Sequence, residues 1–492
     1  MAKIKSRSRT VLSKTKQLPK PEMTVLKTIL SVSIILLFLF LRFYKIQNSL
    51  FFFNDMGRDM LVLYTWQETG KPPLLGPQTS ALPFNQSAIY FYILFPFYLL
   101  TNASPYTALI ANAFLYISSF IFSLYFFRNN PKSSFLLLVS FFLISVHPQF
   151  IIQNRYIWNP SFVTPFLLPS LLSFYLLSQK YSKIYLWLFS FSLSMALSLS
   201  YSIAPLFIAL IVTSLFIFKQ KIISILFSLG TSLAIINLPT IFFEFRHQFL
   251  LTTALLTKHS PPQADTEFLS KLNNLLTFTV GSSSYLLNLI ILILIITTSL
   301  FFIFKSKSHF QKLISILLLI TLAFTFLIPI TIQAHYIFGI LILFFLLLAS
   351  VPFPYSLLIL ITSSLIYFQP SHLNSYFKTA PRTITQTNQC FQQFCQKYPK
   401  PLFVTVTSSL HPYHYGPEFR YLMAKNGCLV RNIESQPSSA NTMAVVLDSA
   451  TFSQKTHYYE LDLFGPFSLG STFPCAPNLG IQLITRSNNS IP

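Results

Sequence analysis

The sequence predicts an all-α polytopic membrane protein with a small α/β domain at its C-terminal end. Of the 492 residues only 9% are charged, whereas 53% are hydrophobic, and Phe (54) and Tyr (24) are abundant. Apolar runs of roughly 16–24 residues recur from residue 23 to residue 368, which is the length that crosses a ~30 Å hydrocarbon core as a helix. From about residue 371 onward, polar residues, Pro, Asn and Gln replace these runs.

The basic residues indicate a membrane rather than a nucleic acid as the partner. The formal net charge is +22 at pH 7, but the Lys and Arg residues occur in short clusters between apolar runs. Cytoplasmic loops of membrane proteins carry such clusters, because Lys and Arg determine on which side a loop stays. We therefore predict membrane lipids as partners and no nucleic acid.

The chain begins with a basic tail, residues 1–22, which contains seven Lys and Arg residues. No short apolar region with a small-residue cleavage site follows this tail. Instead, residues 23–43 form a full-length apolar run, which predicts a retained first helix rather than a removed signal peptide. The tail is then cytoplasmic and rests on anionic lipid.

The apolar segment 87–100 decides the topology of everything after it. At about 15 residues, roughly 22 Å as a helix, it is too short to span comfortably, so we interpret it as interfacial. The inside loops then carry only basic charge, and the acidic residues of the membrane part fall outside. The inside residues are Arg128, Lys132, Lys180, Lys183, Lys219, Lys221, Lys305, Lys307 and Lys312, and the outside ones are Asp55, Asp59, Glu68, Glu244, Asp265 and Glu267.

This topology predicts about 11 transmembrane helices in a membrane domain that covers residues 23–370, plus juxtamembrane helices in the first outside loop. An odd number of spans places residues 371–492 on the outer face of the plasma membrane. An apolar-periodic stretch at 268–276 predicts a further interfacial helix. The predicted spans are 23–43, 104–127, 133–147, 162–178, 184–199, 203–218, 222–242, 284–304, 313–330, 336–350 and 353–368.

The C-terminal segment has the pattern of a small α/β domain. Strand-like runs occur at 402–406, 443–447 and 480–484, and residues 415–426 predict a helix that ends at Gly427. Nothing in this domain has a catalytic pattern, and we expect its acidic residues Asp448, Glu460 and Asp462 to lie on the surface.

All four cysteines lie in the C-terminal domain: Cys390, Cys395, Cys428 and Cys475. Their spacing does not match a strong zinc pattern, and four cysteines allow three disulfide pairings. An extracytoplasmic domain is exposed to oxidising conditions, so at least one disulfide is expected, although Cys390 and Cys395 are also compatible with free thiols.

The first outside loop contains the densest cluster of charges, in the segment 54–60. Asp55 and Asp59 are four residues apart, so one helical turn places both carboxylates on one face with Arg58 beside them. A carboxylate in a partly desolvated pocket can act as a general base towards a hydroxyl group. Because the predicted topology places this loop outside, Asp55 is the candidate base, Arg58 a candidate phosphate ligand and Asp59 the residue that positions Arg58.

The other outside loops add polar groups that suit a lipid-linked phosphate. An arginine binds phosphate through two parallel hydrogen bonds from its planar fork. Each of these residues taken alone is also explained as a helix cap at the headgroup layer. The candidates for substrate binding are Arg58, Asp59, Asn154, Arg155, Asn159, Glu244, Arg246, His335 and Tyr336, and Arg246 is followed by His247.

These segments resemble the C-type integral-membrane glycosyltransferases, in particular the superfamily of protein O-mannosyltransferases and lipid A aminoarabinose transferases. The resemblance rests on 54–59, Gly76-Pro77, 90–92 and 154–160. It implies transfer of a sugar from a polyprenyl-phosphate donor to a protein, lipid or cell-envelope glycan acceptor outside the membrane. It also implies that Asp55 is the base, that Arg58 and Arg155 neutralise the leaving phosphate, and that His335-Tyr336 contact it.

Two departures from the family pattern bear on metal binding. The family often has adjacent Asp and Glu in the first loop, whereas Met56 follows Asp55 here, and Asn159 stands where several members have an acid. Fewer hard oxygen ligands remain for a cation. We therefore predict no metal site and no certain cofactor, and a divalent cation is only weakly supported.

Three other functions remain open. A transporter or flippase of lipid-linked sugars would carry charges or broken helices near mid-membrane, whereas this chain keeps its ionisable residues at the outer edge. An oligosaccharide ligase or polymerase would place arginines in a large late outside loop. A non-catalytic scaffold that displays the C-terminal domain would tolerate loss of Asp55.

Overall fold

The computed structural model describes residues 20–79, 85–126, 131–257, 268–280, 285–328, 332–410, 415–453, 459–476 and 478–487. Most of the basic tail, together with Arg128, Asp265 and Glu267, lies outside the described residues. Three 3-10 turns, at Asn159–Phe162, Tyr201–Ile203 and Ala334–Ile337, connect helices. The α-helices of the membrane part are α1 (Lys20–Phe43), α2 (Ile46–Ser49), α3 (Asp55–Thr69), α4 (Ile89–Leu100), α5 (Thr107–Phe126), α6 (Pro131–Val146), α7 (Pro148–Gln153), α8 (Thr164–Gln179), α9 (Lys183–Leu199), α10 (Ala204–Ile217), α11 (Ile222–Ile236), α12 (Leu238–Arg246), α13 (Leu250–Thr257), α14 (Phe268–Val280), α15 (Tyr285–Lys305), α16 (His309–Leu327), α17 (Phe338–Ala349) and α18 (Phe353–Tyr367).

Every predicted span coincides with a helix, but the number of crossings stays a prediction. Five helical stretches of the described residues are long and apolar enough to cross a membrane, or seven if each of two bent pairs is one span. The bends are 70° between residues 236 and 238 and 65° between residues 367 and 370. Pro239 and Pro370 lie in the first turn after each bend, where a missing N–H and the ring prevent a straight continuation.

The helices differ in how much apolar surface they leave exposed. Large side chains of α1 and α15, such as Leu36 and Phe304, are exposed, whereas most residues of α17 are buried. Helix α17 packs against α6, α8 and α16 at the centre of the bundle. Because water penalises large exposed apolar surface, α1 and α15 are the helices that we expect to face lipid.

The two helices predicted at the interface are present as α4 and α14. Between α3 and α4, the strands β1 (Leu75–Gln78) and β2 (Asn85–Ser87) form an antiparallel pair. A Cβ on Gly76 would overlap the carbonyl oxygen of Ser87, so only glycine permits this close pairing. The Gly76-Pro77 segment thus belongs to a small two-stranded antiparallel sheet between α3 and α4.

The C-terminal segment forms a four-stranded sheet with helices against it. Strands β3 (Phe403–Ser408) and β4 (Thr442–Asp448) are parallel, and β6 (Leu479–Arg486) pairs antiparallel with both β4 and β5 (Phe467–Ala476). The three predicted strands are confirmed, but β5 was not predicted, because its residues 468–472 are exposed in succession and show no alternation. The helices of this part are α19 (Pro370–Tyr376), α20 (Ile384–Lys397), α21 (Pro417–Lys425) and α22 (Tyr459–Phe464).

Two disulfides hold the helices of this domain in place. Cys390 on α20 pairs with Cys475 on β5, and Cys395 on α20 pairs with Cys428, just after α21. The expectation of at least one disulfide is therefore confirmed. Both bridges start from α20, so they tie this helix to the sheet on one side and to α21 on the other.

Helix α21 attaches the C-terminal domain to the membrane part. It packs against α3, and Tyr421 and Lys425 both donate hydrogen bonds to the carbonyl oxygen of Ala103, after α4, the latter at 2.6 Å. A Cβ on Gly57 of α3 would overlap the backbone of Glu418 on α21. The two helices therefore approach at backbone contact, which only glycine allows.

Replacing Gly57 by Ala is expected to force α3 and α21 apart and to destabilise the protein. Overpacking of a tight contact costs about 1–3 kcal/mol, and here the obstacle is backbone, which cannot rotate away. Thermal unfolding of the protein in detergent measures the effect. Gly230→Ala in α11 is the control, because nothing lies within 4 Å of a Cβ there and Ala favours a helix over Gly. Equal unfolding temperatures for wild type and Gly57→Ala would show that α3 and α21 are not in backbone contact at Gly57.

Candidate functional site

The first turns of α3 hold a three-membered charge cluster around Arg58. Its Nη1 lies 2.7 Å from Oδ1 of Asp55, and its Nη2 lies 2.8 Å from Oδ1 of Asp59. Nε of Arg58 also donates to the same Asp59 oxygen at 2.9 Å. The spacing of the three residues therefore places both carboxylates against one guanidinium, as the sequence predicted.

Asp59 is the buried support of this cluster. Its side chain is 3% exposed, and its second oxygen accepts a hydrogen bond from the Tyr90 hydroxyl at 2.9 Å. Burial raises the pKa of the Asp59 carboxyl to about 6, although Arg58 and Tyr90 favour the charged form. At neutral pH this carboxylate is ionised, and both of its oxygens accept hydrogen bonds. It therefore fixes the orientation of Arg58.

Asp55 differs from Asp59 in being accessible. Its side chain is 30% exposed and shares only Oδ1 with Arg58, and in the described part of the chain its Oδ2 has no hydrogen bond. The pKa of Arg58 is raised, because the charges of Asp59 and Asp55 outweigh the opposing effect of burial. The arginine thus stays charged while one Asp55 oxygen remains open to accept a proton.

Two tyrosines interact with this cluster, Tyr90 through a hydrogen bond and Tyr156 only electrostatically, and the sequence indicated a role for neither. Tyr90 binds Asp59, and Tyr156 lies within electrostatic range of Asp55 and Asp59. Burial, and then these two negative charges, raise the pKa of Tyr156 well above its ordinary value. Both belong to segments that carry the family resemblance, which was the available signal.

An open cavity of about 590 Å³ lies beside the charge cluster. Its polar groups include Arg58, Arg246 and His247, so residues of α3 meet residues at the end of α12. Apolar side chains and the β1 strand complete its walls. The remaining lining residues are Val62, Pro73, Leu74, Leu75, Gly76, Pro77, Gln78, Asn85, Phe91 and Phe243.

The two arginines of the cavity differ in their partners. Arg58 is held by two carboxylates, whereas Arg246 is exposed and forms no ion pair within the described residues. His247 is anchored by a 2.9 Å hydrogen bond between its Nδ1 and the carbonyl oxygen of Phe243. The Arg246 guanidinium is therefore available to bind an anion in the cavity.

The structure gives Arg155 a different set of contacts from the phosphate role that the sequence suggested. It is buried, and its Nη1 donates to the carbonyl oxygens of Leu41, Arg42 and Tyr44 at 3.0–3.2 Å. Its Nη2 donates to the Ser49 hydroxyl. These contacts cap the C-terminal end of α1, where a cation is favourable, and they occupy both terminal nitrogens.

The neighbouring asparagines are also buried. Asn159 donates to the carbonyl oxygen of Leu199 at 2.8 Å, which connects its 3-10 turn to the end of α9. Asn154 is 1% exposed and lies beside the buried Tyr116 hydroxyl. Neither residue lines the cavity.

Glu244, His335 and Tyr336 do not line the cavity either. The Glu244 carboxylate accepts hydrogen bonds at 2.9 Å from the amides of Leu251 and Thr252, so it caps the first turn of α13. The His335 ring packs at 4.7 Å against Trp158 and at 4.4 Å against Tyr336. Of the candidates, the structure therefore joins Asp55 and Asp59 to Arg58 in one ion-pair cluster, and it places Arg58 and Arg246 in the lining of one cavity.

One expectation about the C-terminal domain was wrong, and no metal cluster is present in the described residues. Asp448 is fully buried rather than on the surface, because its carboxylate pairs with Arg382 at 3.0 Å. Glu460 is largely buried against Arg420, and Asp462 is exposed. Across the described ranges, no group of three or more His, Cys, Asp or Glu residues is arranged to hold a metal ion.

Comparison with known proteins shows the fold. No family model matches the sequence, and no curated protein sequence matches it. By structure, the chain is similar to ArnT from Cupriavidus metallidurans, in a crystal structure bound to undecaprenyl phosphate. The TM-score is 0.63 at 11% sequence identity, and the match covers 96% of this chain and 99% of that chain. The chain therefore has the same fold as ArnT, which is the fold that the sequence resemblance predicted.

Proposed function

We propose that this protein is a multi-pass membrane glycosyltransferase that takes a sugar from a polyprenyl-phosphate donor. The observation that carries this proposal is a cavity lined by two arginines and apolar side chains, in which one of the arginines, Arg58, is paired with the accessible Asp55 carboxylate. The acceptor is a protein, a lipid or a cell-envelope glycan. The likeness to ArnT, whose crystal structure is bound to undecaprenyl phosphate, supports this substrate class.

The donor phosphate binds between Arg58 and Arg246 in this proposal. The two guanidinium groups come from helices far apart in sequence and line one cavity, so we expect a phosphate bound there to be neutralised by both. Phe91, Phe243 and Val62 supply apolar wall for the first part of the lipid chain. Arg58 is already oriented by Asp59 and Tyr90, which reduces the cost of ordering it on binding.

Asp55 accepts the proton of the attacking acceptor hydroxyl. The acceptor oxygen then forms its bond to the anomeric carbon while the bond between that carbon and the phosphate oxygen breaks. The electron pair of the broken bond stays on the polyprenyl phosphate, whose added charge Arg58 and Arg246 stabilise. The sugar leaves on the acceptor, and the proton stays on Asp55 until it passes to solvent.

The reaction takes place on the outer face of the plasma membrane. Two features support this location: the basic loops predicted on the inside, and the two disulfides of the C-terminal domain, because disulfides persist in oxidising compartments. The membrane domain is then residues 23–370, and residues 371–492 form an extracytoplasmic domain.

A transfer assay tests the proposed function against a transport function. Membranes that contain the protein are incubated with undecaprenyl phosphate carrying a radiolabelled hexose or pentose, and released undecaprenyl phosphate is measured by chromatography. We expect release above that of membranes without the protein, with the label moving from undecaprenyl phosphate to a different molecule that chromatography separates from the donor. Label that crosses the membrane still attached to the lipid would favour a flippase and contradict the proposal.

Arg246→Gln is expected to weaken the binding of undecaprenyl phosphate by about ten- to hundredfold, because one charge-assisted hydrogen bond is lost. Arg246→Lys keeps the charge but not the fork, and we expect a smaller loss. Native mass spectrometry of the purified protein titrated with undecaprenyl phosphate measures the dissociation constants. Arg431→Gln is the matched control, since this arginine is exposed in the C-terminal domain. Equal affinity of Arg246→Gln and wild type for undecaprenyl phosphate would show that Arg246 does not bind the phosphate.

A further inference from the structure

Two side chains of the C-terminal domain bind the backbone immediately before Asp55. The Arg382 Nη1 donates to the carbonyl oxygen of Phe52 at 3.2 Å, and the amide of Asn54 donates to Oε2 of Glu418 at 3.2 Å. Arg382 and Glu418 are themselves joined at 2.6 Å. The pair therefore forms a two-point clamp on residues 52–54, which we call the loop clamp.

The loop clamp is buried at a junction between the two parts of the chain. The side chains of Arg382 and Glu418 are 4% and 0% exposed. The guanidinium of Arg382 lies between the rings of Phe51 and Phe419, at 5.0 and 4.4 Å. A buried ion pair contributes little net stability once the desolvation of its two charges is counted, but it is favourable only in one well-defined geometry. Its position next to Asp55 favours a role in geometry.

The backbone that the clamp holds has an uncommon conformation. Asn54 has φ 40° and ψ −100°, close to the first central position of a type II′ turn, which glycine dominates. A side-chain residue is strained there and keeps the conformation only when its surroundings impose it. Asn54 directly precedes Asp55, so this backbone turn sets the direction in which the Asp55 carboxylate leaves the start of α3.

We propose that Glu418 is a positioning residue for Asp55, so that the C-terminal domain completes the catalytic site. This inference rests on the proposed function and adds a dependence that the donor site alone does not require. Glu418 holds the amide of Asn54, and Gly57 lets α21 approach near enough to do so. Arg58 is held separately by Asp59 and Tyr90, so loss of the clamp misdirects the base more than the phosphate ligand.

The test separates kcat from KM in the undecaprenyl-phosphate release assay with varied donor. Glu418→Gln removes the negative charge of Glu418. Glu418→Asp keeps this charge, but its shorter side chain withdraws the carboxylate oxygen from the amide of Asn54. For both we expect kcat to fall about ten- to hundredfold, as small displacements of catalytic groups do, with an unchanged KM for the donor. Hydrogen exchange of the peptide 52–58 is expected to accelerate in parallel.

Glu460→Gln is the matched control. Glu460 pairs with Arg420 at 2.8 Å, and Arg420 lies on α21, as Glu418 does. The substitution therefore removes an ion pair of α21 without affecting contacts to residues 52–54. We expect its kcat and hydrogen exchange to equal those of wild type. If Glu460→Gln lowers kcat as much as Glu418→Gln does, the effect is general loosening of the domain and the proposal is overturned.

A rescue experiment distinguishes positioning from general structure. Glycine adopts the Asn54 conformation without strain, so Asn54→Gly in the Glu418→Gln background is expected to recover a measurable part of kcat. A structural role for Glu418 alone predicts no recovery. Wild-type kcat in both folded Glu418 variants, or failure of both to fold while Glu460→Gln folds, would also overturn the proposal.

The proposed function and the further inference fail in different ways. Wild-type release activity in Asp55→Asn would show that Asp55 is not the base, and the proposed mechanism would then be wrong. An inactive Asp55→Asn together with wild-type kcat in Glu418→Asp and Glu418→Gln leaves the mechanism standing and rejects only the positioning role.

Discussion

Asp55→Asn is expected to lower the turnover number by about 10²–10⁴-fold, the usual contribution of a general base. The amide keeps the size of the carboxyl group, but it cannot take up the proton of the acceptor hydroxyl. Arg58 remains fixed through Asp59, to which it donates at 2.8 and 2.9 Å. The undecaprenyl-phosphate release assay with saturating donor measures the change directly.

Glu68→Gln serves as the control for this substitution. Glu68 lies on the same helix as Asp55 and is exposed, so removal of its charge is expected to leave turnover unchanged. Binding of undecaprenyl phosphate to Asp55→Asn is expected to be intact, because Arg58 and Arg246 are untouched. A turnover within twofold of wild type would show that another group accepts the proton.

The part of the site that could be predicted from the sequence is the part that is local in the chain. Asp55, Arg58 and Asp59 lie within two turns of one helix, so their spacing alone places them side by side. The apolar runs predicted the helices for the same reason, since a period and a length are local properties. The bends at Pro239 and Pro370, by contrast, make the number of crossings harder to count.

Contacts between distant segments could not be predicted in this way. Arg155 was assigned to the phosphate because arginines suit phosphates, but its partners at the end of α1 lie more than 100 residues earlier. A cation that caps a helix and a cation that binds a ligand have the same sequence signature. Arg246, by contrast, lines the same cavity as Arg58, and its role in binding phosphate stays a prediction.

The acidic residues of the C-terminal domain illustrate the same limit. Asp448 was expected on the surface because it is isolated in sequence, yet it is buried against Arg382, 66 residues away. Glu418 is 36 residues from the same arginine, which also reaches back 330 residues to Phe52. A lone carboxylate has no local sign of its partner, so burial of this kind follows only from the fold.

Arg382→Met is therefore expected to have the largest effect on stability, about 3–5 kcal/mol, because it leaves charged groups buried without their partner. Both Glu418 and Asp448 lose their ion pair, at 2.6 and 3.0 Å in the wild type. Thermal unfolding in detergent, followed by intrinsic fluorescence, measures the loss, and limited proteolysis reports whether the C-terminal domain separates from the first loop.

Arg420→Met is the matched control for Arg382→Met, since Arg420 also pairs with a carboxylate of the same domain, at 2.8 Å, but is 28% exposed. Partly exposed pairs contribute about 0–1 kcal/mol, so this variant is expected to unfold near the wild-type temperature. Similar destabilisation by the two substitutions would mean that burial does not set the strength of these pairs. A large and selective loss for Arg382→Met, together with separation of the C-terminal domain in limited proteolysis, would show that the same arginine joins the two parts of the chain at Phe52, just before Asp55.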